Sequence, residues 1–166
     1  MLYKTRGLAL SYIKYRETSI IARVFTDQFG TQSYIVNGIR SKNAKTKIAL
    51  FQPLTLLDLV VYHNSKKEIN RISEIKSSYT FHSIPFNIKK TTISLFITEL
   101  LGQTLKEEEE NEKLYNFISE SIIFLDEAHE HYENFHIRFM LFLTYYLGIK
   151  PESARMILHE TGHAKS

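Results

Sequence analysis

Asn37-Gly38-Ile39-Arg40-Ser41-Lys42-Asn43-Ala44-Lys45-Thr46-Lys47 carries four cations and no acid, and its glycine falls where a strand-like run ends. Three β-like runs precede it, at residues 5–15, 18–26 and 31–37, each rich in Ile, Val, Tyr and Thr. In the second, Ile20, Ala22 and Val24 alternate onto one face, as a half-buried strand requires. Asp27-Gln28-Phe29-Gly30 reads as a turn between the second and third. The basic stretch continues to Leu50, long enough for one short helix. After Gln52-Pro53 come an apolar run at residues 54–62, a polar turn at His63-Asn64-Ser65-Lys66, and a weaker run at residues 67–79. In that last run Ile69 and Ile75 share one face and Ile72 the other.

Five short strands with one helix-sized break, between the third and fourth, is the element order of an OB-fold, a Greek-key barrel that binds single-stranded nucleic acid or oligosaccharide. An SH3-like barrel is the rival, and the insertion at 37–52 fits it less well. From residue 83 the period changes. Ile93, Phe96, Ile97, Leu100, Leu101 and Leu105 recur at helical spacing, which predicts a helix over 87–106. Leu114, Ile118, Ile122 and Leu125 mark a second helix. Residues 135–147 are apolar on most faces, so this third helix is expected at the centre of the bundle, with Gly148 as its C-cap before Pro151. The fold class is therefore α+β, with an OB-fold barrel over 1–80, a helical domain over 81–150 and a tail over 151–166.

Composition narrows the function. The 166 residues hold no cysteine, which excludes disulfides and cysteine-ligated zinc and fits a cytoplasmic protein. No long apolar run predicts a membrane span, and the N-terminus does not read as a signal peptide. Charge is divided unevenly. Residues 1–80 hold 13 Lys/Arg against 5 Asp/Glu, a net +8, and residues 81–166 hold 8 against 13, a net −5. A basic front half is expected to face a polyanion. Candidate phosphate contacts are Arg40, Lys42, Lys45 and Lys47, with Arg6, Arg16, Lys66 and Lys67 as a second group. Tyr12, Tyr15 and Tyr34 are candidate stacking platforms, though each taken alone reads first as a strand packing residue.

Catalytic chemistry has one candidate, His159-Glu160-Thr161-Gly162-His163. On a helix this spacing turns two histidines to one zinc with Glu160 as general base, so a zinc metallopeptidase is the alternative function. The chain stops three residues later, leaving no room for the usual third ligand, and no metal or other cofactor is expected. The acidic run at 107–110 reads as a solvated connector. Phosphate-cradling glycine motifs are absent.

Several pieces together resemble the RecO family of bacterial DNA-repair proteins. They are Tyr15-Arg16-Glu17-Thr18-Ser19, Phe25-Thr26 with Gly30, Gly38-Ile39-Arg40-Ser41-Lys42, and Phe51-Gln52-Pro53-Leu54. In the helical half they are Phe96-Ile97-Thr98-Glu99-Leu100-Leu101, and Arg138-Phe139 through Tyr146-Leu147-Gly148. The resemblance implies an N-terminal OB domain, a helical domain and a non-enzymatic role in recombinational repair. Its members anneal complementary DNA strands and help load recombinase onto DNA coated by single-strand-binding protein, acting with RecR. They bind the acidic, apolar-ended tail of single-strand-binding protein through the helical domain. Here Arg138 is the residue expected to meet that tail's carboxylate, a local ion pair with Glu130 or Glu133 being the other reading. Members usually continue well past this length, some with a four-cysteine zinc module, so the chain is expected to be a fragment or a truncated form. An RNA-binding OB module remains a further alternative.

Overall fold

The computed structural model describes residues 1–39 and 45–149, Lys45 and Thr46 by their backbone alone. Arg40 and Lys42, the side chain of Lys45 and the tail motif from His159 to His163 lie outside the described residues. The first strand, β1 (Leu2–Tyr15), is long enough to pair twice. Its first half runs antiparallel to β4 (Leu56–Tyr62) and its second half antiparallel to β2 (Ser19–Thr26). With β3 (Gly30–Val36) and β5 (Ile69–Ser77) the strands close in the order β1-β2-β3-β5-β4, with β3 and β5 parallel. This is the OB-fold barrel, and closure leaves no free sheet edge.

Closure requires small residues where β1 crosses the interior. A Cβ on Gly7 would stand 2.7 Å from Val24 Cγ1 and 2.8 Å from Leu59 Cδ1. An irregularity in the β1–β2 register between Ala9 and Ser11 bends the strand there. Gly7 and Ala9 thus face the barrel interior, and Leu8 and Leu10 belong to a second core outside it. Ile20, Ala22 and Val24 line the interior as their alternation predicts, with Leu57, Leu59, Val61 and Ile72. The short helix α1 (Lys45–Ala49) follows β3, and the buried Ile39 and Phe51 on either side of it join this interior core.

Two expectations for the strands are overturned. Tyr34 is no stacking platform, because it is wholly buried inside the barrel between inward-facing Gln32 and Val36. Its hydroxyl has no hydrogen-bond partner among the described residues, and burial raises its pKa. Ile72 and Ile75 both pack on the interior core, and Ile69 is the one turned outward. The cause is a register shift against β4 between Val60 and Val61, which switches the parity of β5 midway.

Beyond a 3-10 turn at Ile84–Phe86 come α2 (Ile88–Thr104), α3 (Glu112–Glu127) and α4 (Phe135–Tyr146). Asn87 caps α2, accepting from the amides of Lys89 and Lys90 at 3.0 and 3.3 Å, and Asn111 caps α3, accepting from Leu114 at 3.0 Å. Leu147 is the C-cap of α4, and Gly148 follows it at φ +75°, the left-handed position that favours glycine. The expectation that this helix is the buried centre is corrected. Only Phe135, Phe139 and Leu143 of α4 are buried, while Ile137, Leu141, Phe142 and Tyr145 are exposed. The central helix is α3, which buries Leu114, Tyr115, Ile118, Ile122, Leu125 and Asp126.

Helices and barrel share one core. Leu8, Leu10, Phe25, Leu54 and Leu56 from the barrel side pack with Ile97, Leu101, Leu114, Ile118 and Phe139. Polar contacts fix the angle of docking. The Tyr115 hydroxyl donates to the Gly7 carbonyl at 3.1 Å. Arg23 donates to the carbonyls of Gly102 and Leu105 at 3.3 and 2.9 Å, satisfying the C-terminal end of α2. Thr31 donates from its amide to Glu107 and from its hydroxyl to Leu105, each at 2.9 Å. Gly30, at φ +63°, lies under this connector, and a Cβ there would come within 2.5 Å of the Glu107 carbonyl oxygen.

Two charges are buried where the barrel hands over to the helices. The Asp126 carboxylate accepts from the amides of Ile84, Ser83 and His82 at 2.8, 2.9 and 3.1 Å, and from the Tyr79 hydroxyl at 2.9 Å. Lys90 Nζ donates to Ser83 Oγ at 2.7 Å and to the carbonyls of Asp126 and Ala128 at 2.9 and 2.5 Å. Burial alone would raise the Asp126 pKa; the amides of Ile84, Ser83 and His82 and the Tyr79 hydroxyl outweigh it and bring it from 3.8 to about 2. A lowered folded pKa gives stability that is complete above the unfolded value and is lost as the carboxylate protonates in the folded state. Asp126 is accordingly expected to contribute about 2 kcal/mol that is present at pH 5 and gone near pH 2. Denaturant titrations between those pH values should show a steeper fall for the wild type than for Asp126→Asn, and parallel curves would refute it.

Candidate nucleic-acid interface

The helices leave part of the barrel's outer surface open. On the β2–β3 pair, the rung Phe25–Thr31 lies under the helical core and its connector, and Arg23 of the next rung is engaged by α2. The rung after that, Ile21–Ile35, is half-buried. Following its register in both directions gives one row across the barrel. Ile13 of β1 pairs with Ile21, Ile21 with Ile35, and Ile35 with Arg71 of β5. Arg71 pairs with Tyr62, and Tyr62 with Leu2 at the start of β1. Residues directly opposite in a sheet share a face, so these six share the barrel's exterior. Ile13 is 64% exposed, Leu2 50% and Tyr62 46%, and Arg71 is exposed.

Cations stand at both ends of this face. At the β1–β2 turn Arg16 takes φ +53° and lies 5.1 Å over the ring of Tyr15. The Ser19 hydroxyl donates to the Asn37 side chain at 2.9 Å, tying this turn to the start of the basic stretch. Exposed Lys14 and Lys47 belong to the same end. At the β4–β5 turn Lys66 and Lys67 are exposed, about 20 Å away along the strands at some 3.3 Å per residue. Tyr12 packs partly against the interior core, and Tyr15 is half-buried under Arg16. Sequence reasoning missed Arg71 and the three isoleucines. Their outward alternation within each run was the available signal, but bringing them into one row needs the register of four strands.

Arg6 is corrected. It does not stand ready for phosphate, since its Nε donates to Asp27 at 2.8 Å and Nη2 to Glu112 at 3.4 Å, with the guanidinium 4.8 Å over the Tyr115 ring. Partial burial opposes its charge, but Asp27, Tyr115 and Glu112 prevail and hold its pKa above the usual value. Asp27 also accepts from the Thr5 hydroxyl at 2.6 Å and the Arg6 amide at 3.1 Å. Arg6 therefore links β1, the β2–β3 turn and α3.

On the helical side a groove of about 280 Å³ runs between α3 and α4. Phe117, Phe124, Phe135, Phe139 and Phe142 line it together with Arg138 and Glu120. Arg138 is exposed, and neither Glu130 nor Glu133 forms an ion pair with it. Among the described residues no group of three or more His, Cys, Asp or Glu could hold a metal ion, and no helix is long and apolar enough to cross a membrane.

Known proteins match along nearly the whole chain. The family profile for the N-terminal part of recombination protein O matches residues 1–81, and the profile for its C-terminal part matches residues 85–158. The DNA repair protein RecO of Flavobacterium psychrophilum is 40% identical over 153 residues, which are 92% of this chain and 64% of that protein. RecO of Bacteroides fragilis is 38% identical over 151 residues, 91% of this chain and 62% of that protein. RecO of Flavobacterium johnsoniae is 36% identical over 159 residues, 95% of this chain and 67% of that protein. The chain thus spans a little under two thirds of the first two relatives.

Because Arg6 is held by carboxylates, Arg6→Ala is expected to destabilise the fold by about 1–2 kcal/mol while leaving the salt dependence of polyanion binding unchanged. Denaturant melts and a salt titration of the variant check both halves. A stable variant with a shallower salt slope would return Arg6 to the phosphate contacts.

Proposed function

Since the chain belongs to the recombination protein O family, we propose that it is a non-enzymatic DNA-binding protein of recombinational repair. In this reading the barrel, residues 1–80, captures single strands through their phosphates and lets complementary strands anneal. The helical part, residues 81–150, recruits single-strand-binding protein, and the whole assists recombinase loading together with RecR. The observation that carries it is the open barrel face with cations at both ends, in a half of the chain with net charge +8. Phosphates carry no base identity, so capture of this kind suits a protein that must hold any sequence and then release it to pairing.

Arg71 lies in the open face itself and Lys14, Arg16 and Lys47 belong to one end of it, with Arg40, Lys42 and Lys45 in the same stretch of sequence as Lys47. If Arg40, Lys42, Lys45 and Lys47 all contact phosphate, replacing the four by Ala should reduce the slope of log affinity against log salt by roughly 3 for single strands, at about 0.7 per contact. The loss should be nearly the same for all base sequences. A quadruple variant that melts like the wild type and keeps its slope would make the stretch a solvated connector. Competition between single-stranded DNA and RNA tests the alternative of an RNA-binding barrel.

The groove between α3 and α4 supports the recruiting role. Five phenylalanines beside one exposed arginine suit a peptide that ends in an apolar residue and a free carboxylate. Arg138→Ala should weaken binding of an acidic, Phe-ended peptide about tenfold or more, as loss of a charge-assisted hydrogen bond predicts. Isothermal titration with a variant of unchanged melting temperature checks it, and unchanged affinity would remove Arg138 from the site.

A further inference from the structure

We infer that the outward side of α2, with the neighbouring side of α4, is the surface on which two copies of this chain pair, α2 lying antiparallel against α2. The two helices run side by side in the same direction. Near the start of each, Asn87 donates to the Tyr132 hydroxyl at 3.0 Å. Phe96 meets His136 at 5.9 Å, and Thr104 and Leu105 end beside Tyr146 and Leu147. Their inner sides enter the shared core through Ile97, Leu101, Phe139 and Leu143. Their outer sides are apolar as well. Ile88 is 79% exposed, Leu95 66% and Phe96 42%, and on α4 Ile137 and Leu141 are exposed too. A surface helix in water is expected to keep that side polar. Large exposed apolar side chains clustered on two neighbouring helices mark a contact surface.

Charge identifies the partner as a second copy. Lys89, Thr92, Phe96 and Glu99 recur at helical spacing in one exposed stripe of α2. Gln103, on the next turn, donates to the Glu99 carboxylate at 2.8 Å and holds it on this stripe. Laid antiparallel on itself about its middle, the stripe sets Lys89 against Glu99 of the second copy, and Thr92 against Phe96. It is therefore its own complement, as a twofold interface requires. Within one chain the two charges stand about 15 Å apart along the helix and cannot pair. Lys89 also lies in the first turn of α2, which holds no acid, and a cation there opposes the helix dipole. The helix alone does not account for that placement, and a carboxylate from a second copy does. A polyanion is disfavoured on this side, because Glu133 stands beside Ile88 and Thr92, and Glu99 is exposed. The groove of Arg138 opens on the flank of α4 toward α3, so pairing leaves it free.

Sedimentation velocity of the full chain, from low micromolar concentration upward, tests the pairing, and it stands apart from the strand-binding reading because it needs no DNA. The wild type should show a monomer–dimer equilibrium. Lys89→Glu and Glu99→Lys should each raise the dimer Kd about tenfold, since a twofold interface then holds two like-charged pairs. The double variant Lys89→Glu/Glu99→Lys restores opposite charges across the interface and should return to within about threefold of the wild type. Both positions are exposed, and an acid in the first turn suits the helix dipole, so none of the variants is expected to melt below the wild type. A wild type that stays monomeric throughout would overturn the inference and leave the face to another segment or another protein. A dimer indifferent to the single reversals, or one that the double variant does not restore, would overturn it equally by placing the contact on another surface.

Discussion

Lys90 and Asp126 are buried without forming an ion pair with each other, and the joint between barrel and helices depends on how each is satisfied. Asp126 sits at the amide end of the 3-10 turn and Lys90 at the carbonyl end of α3. Each charge is thus compensated by backbone groups that a helix end leaves without partners. A buried charge lacking such donors or acceptors would shift its pKa or unfold the joint. The two residues come from different helices, so their burial fixes α2, α3 and residues 79–84 in one arrangement.

That arrangement decides which part of the barrel stays open. With α2 and α3 held together, the connector between them lies on the β2–β3 turn, where Gly30 alone has room and Thr31 receives it. Phe25, Leu8 and Leu10 are covered as a result, and Arg23 is turned to the end of α2. The Ile21–Ile35 rung is the first beyond the helices' reach. The open face is what remains of an OB barrel after one side has been used as core.

The barrel was legible because its signals are local. Alternation in β2, the turn at Gly30 and the helix-sized insertion after Gly38 each lie within a few residues. Gly148 announced the end of α4 in the same way. Features that depend on distant partners were not legible. Ile72 changed face because of a register shift on a neighbouring strand, and Arg6 was taken up by Asp27 and Glu112. Tyr34 is instructive, since its parity with Val36 already pointed inward and only the preference for an aromatic platform argued otherwise. For the candidate site, the turn cations could be read directly, but the row that joins them could not. It exists only once four strands are in register.

The two ends of the open face are not electrostatically equal. The connector carrying Glu107, Glu108, Glu109 and Glu110 is docked at the β2–β3 turn, the end at which His63 stacks on Phe29 at 3.9 Å. His63 illustrates the local balance: burial lowers its pKa, while the nearby Glu108 carboxylate pulls the other way. Lys66 and Lys67 therefore act beside acids that offset part of their field. At the opposite end Lys14 and Lys47 are exposed, and the acid nearest Lys14 in sequence is Glu17. If the barrel binds a polyanion as proposed, the docked acidic connector would bias its approach toward the end away from the connector. Fusion to an acidic helical half would then give the barrel a direction of approach that its own placement of cations at both ends would not supply.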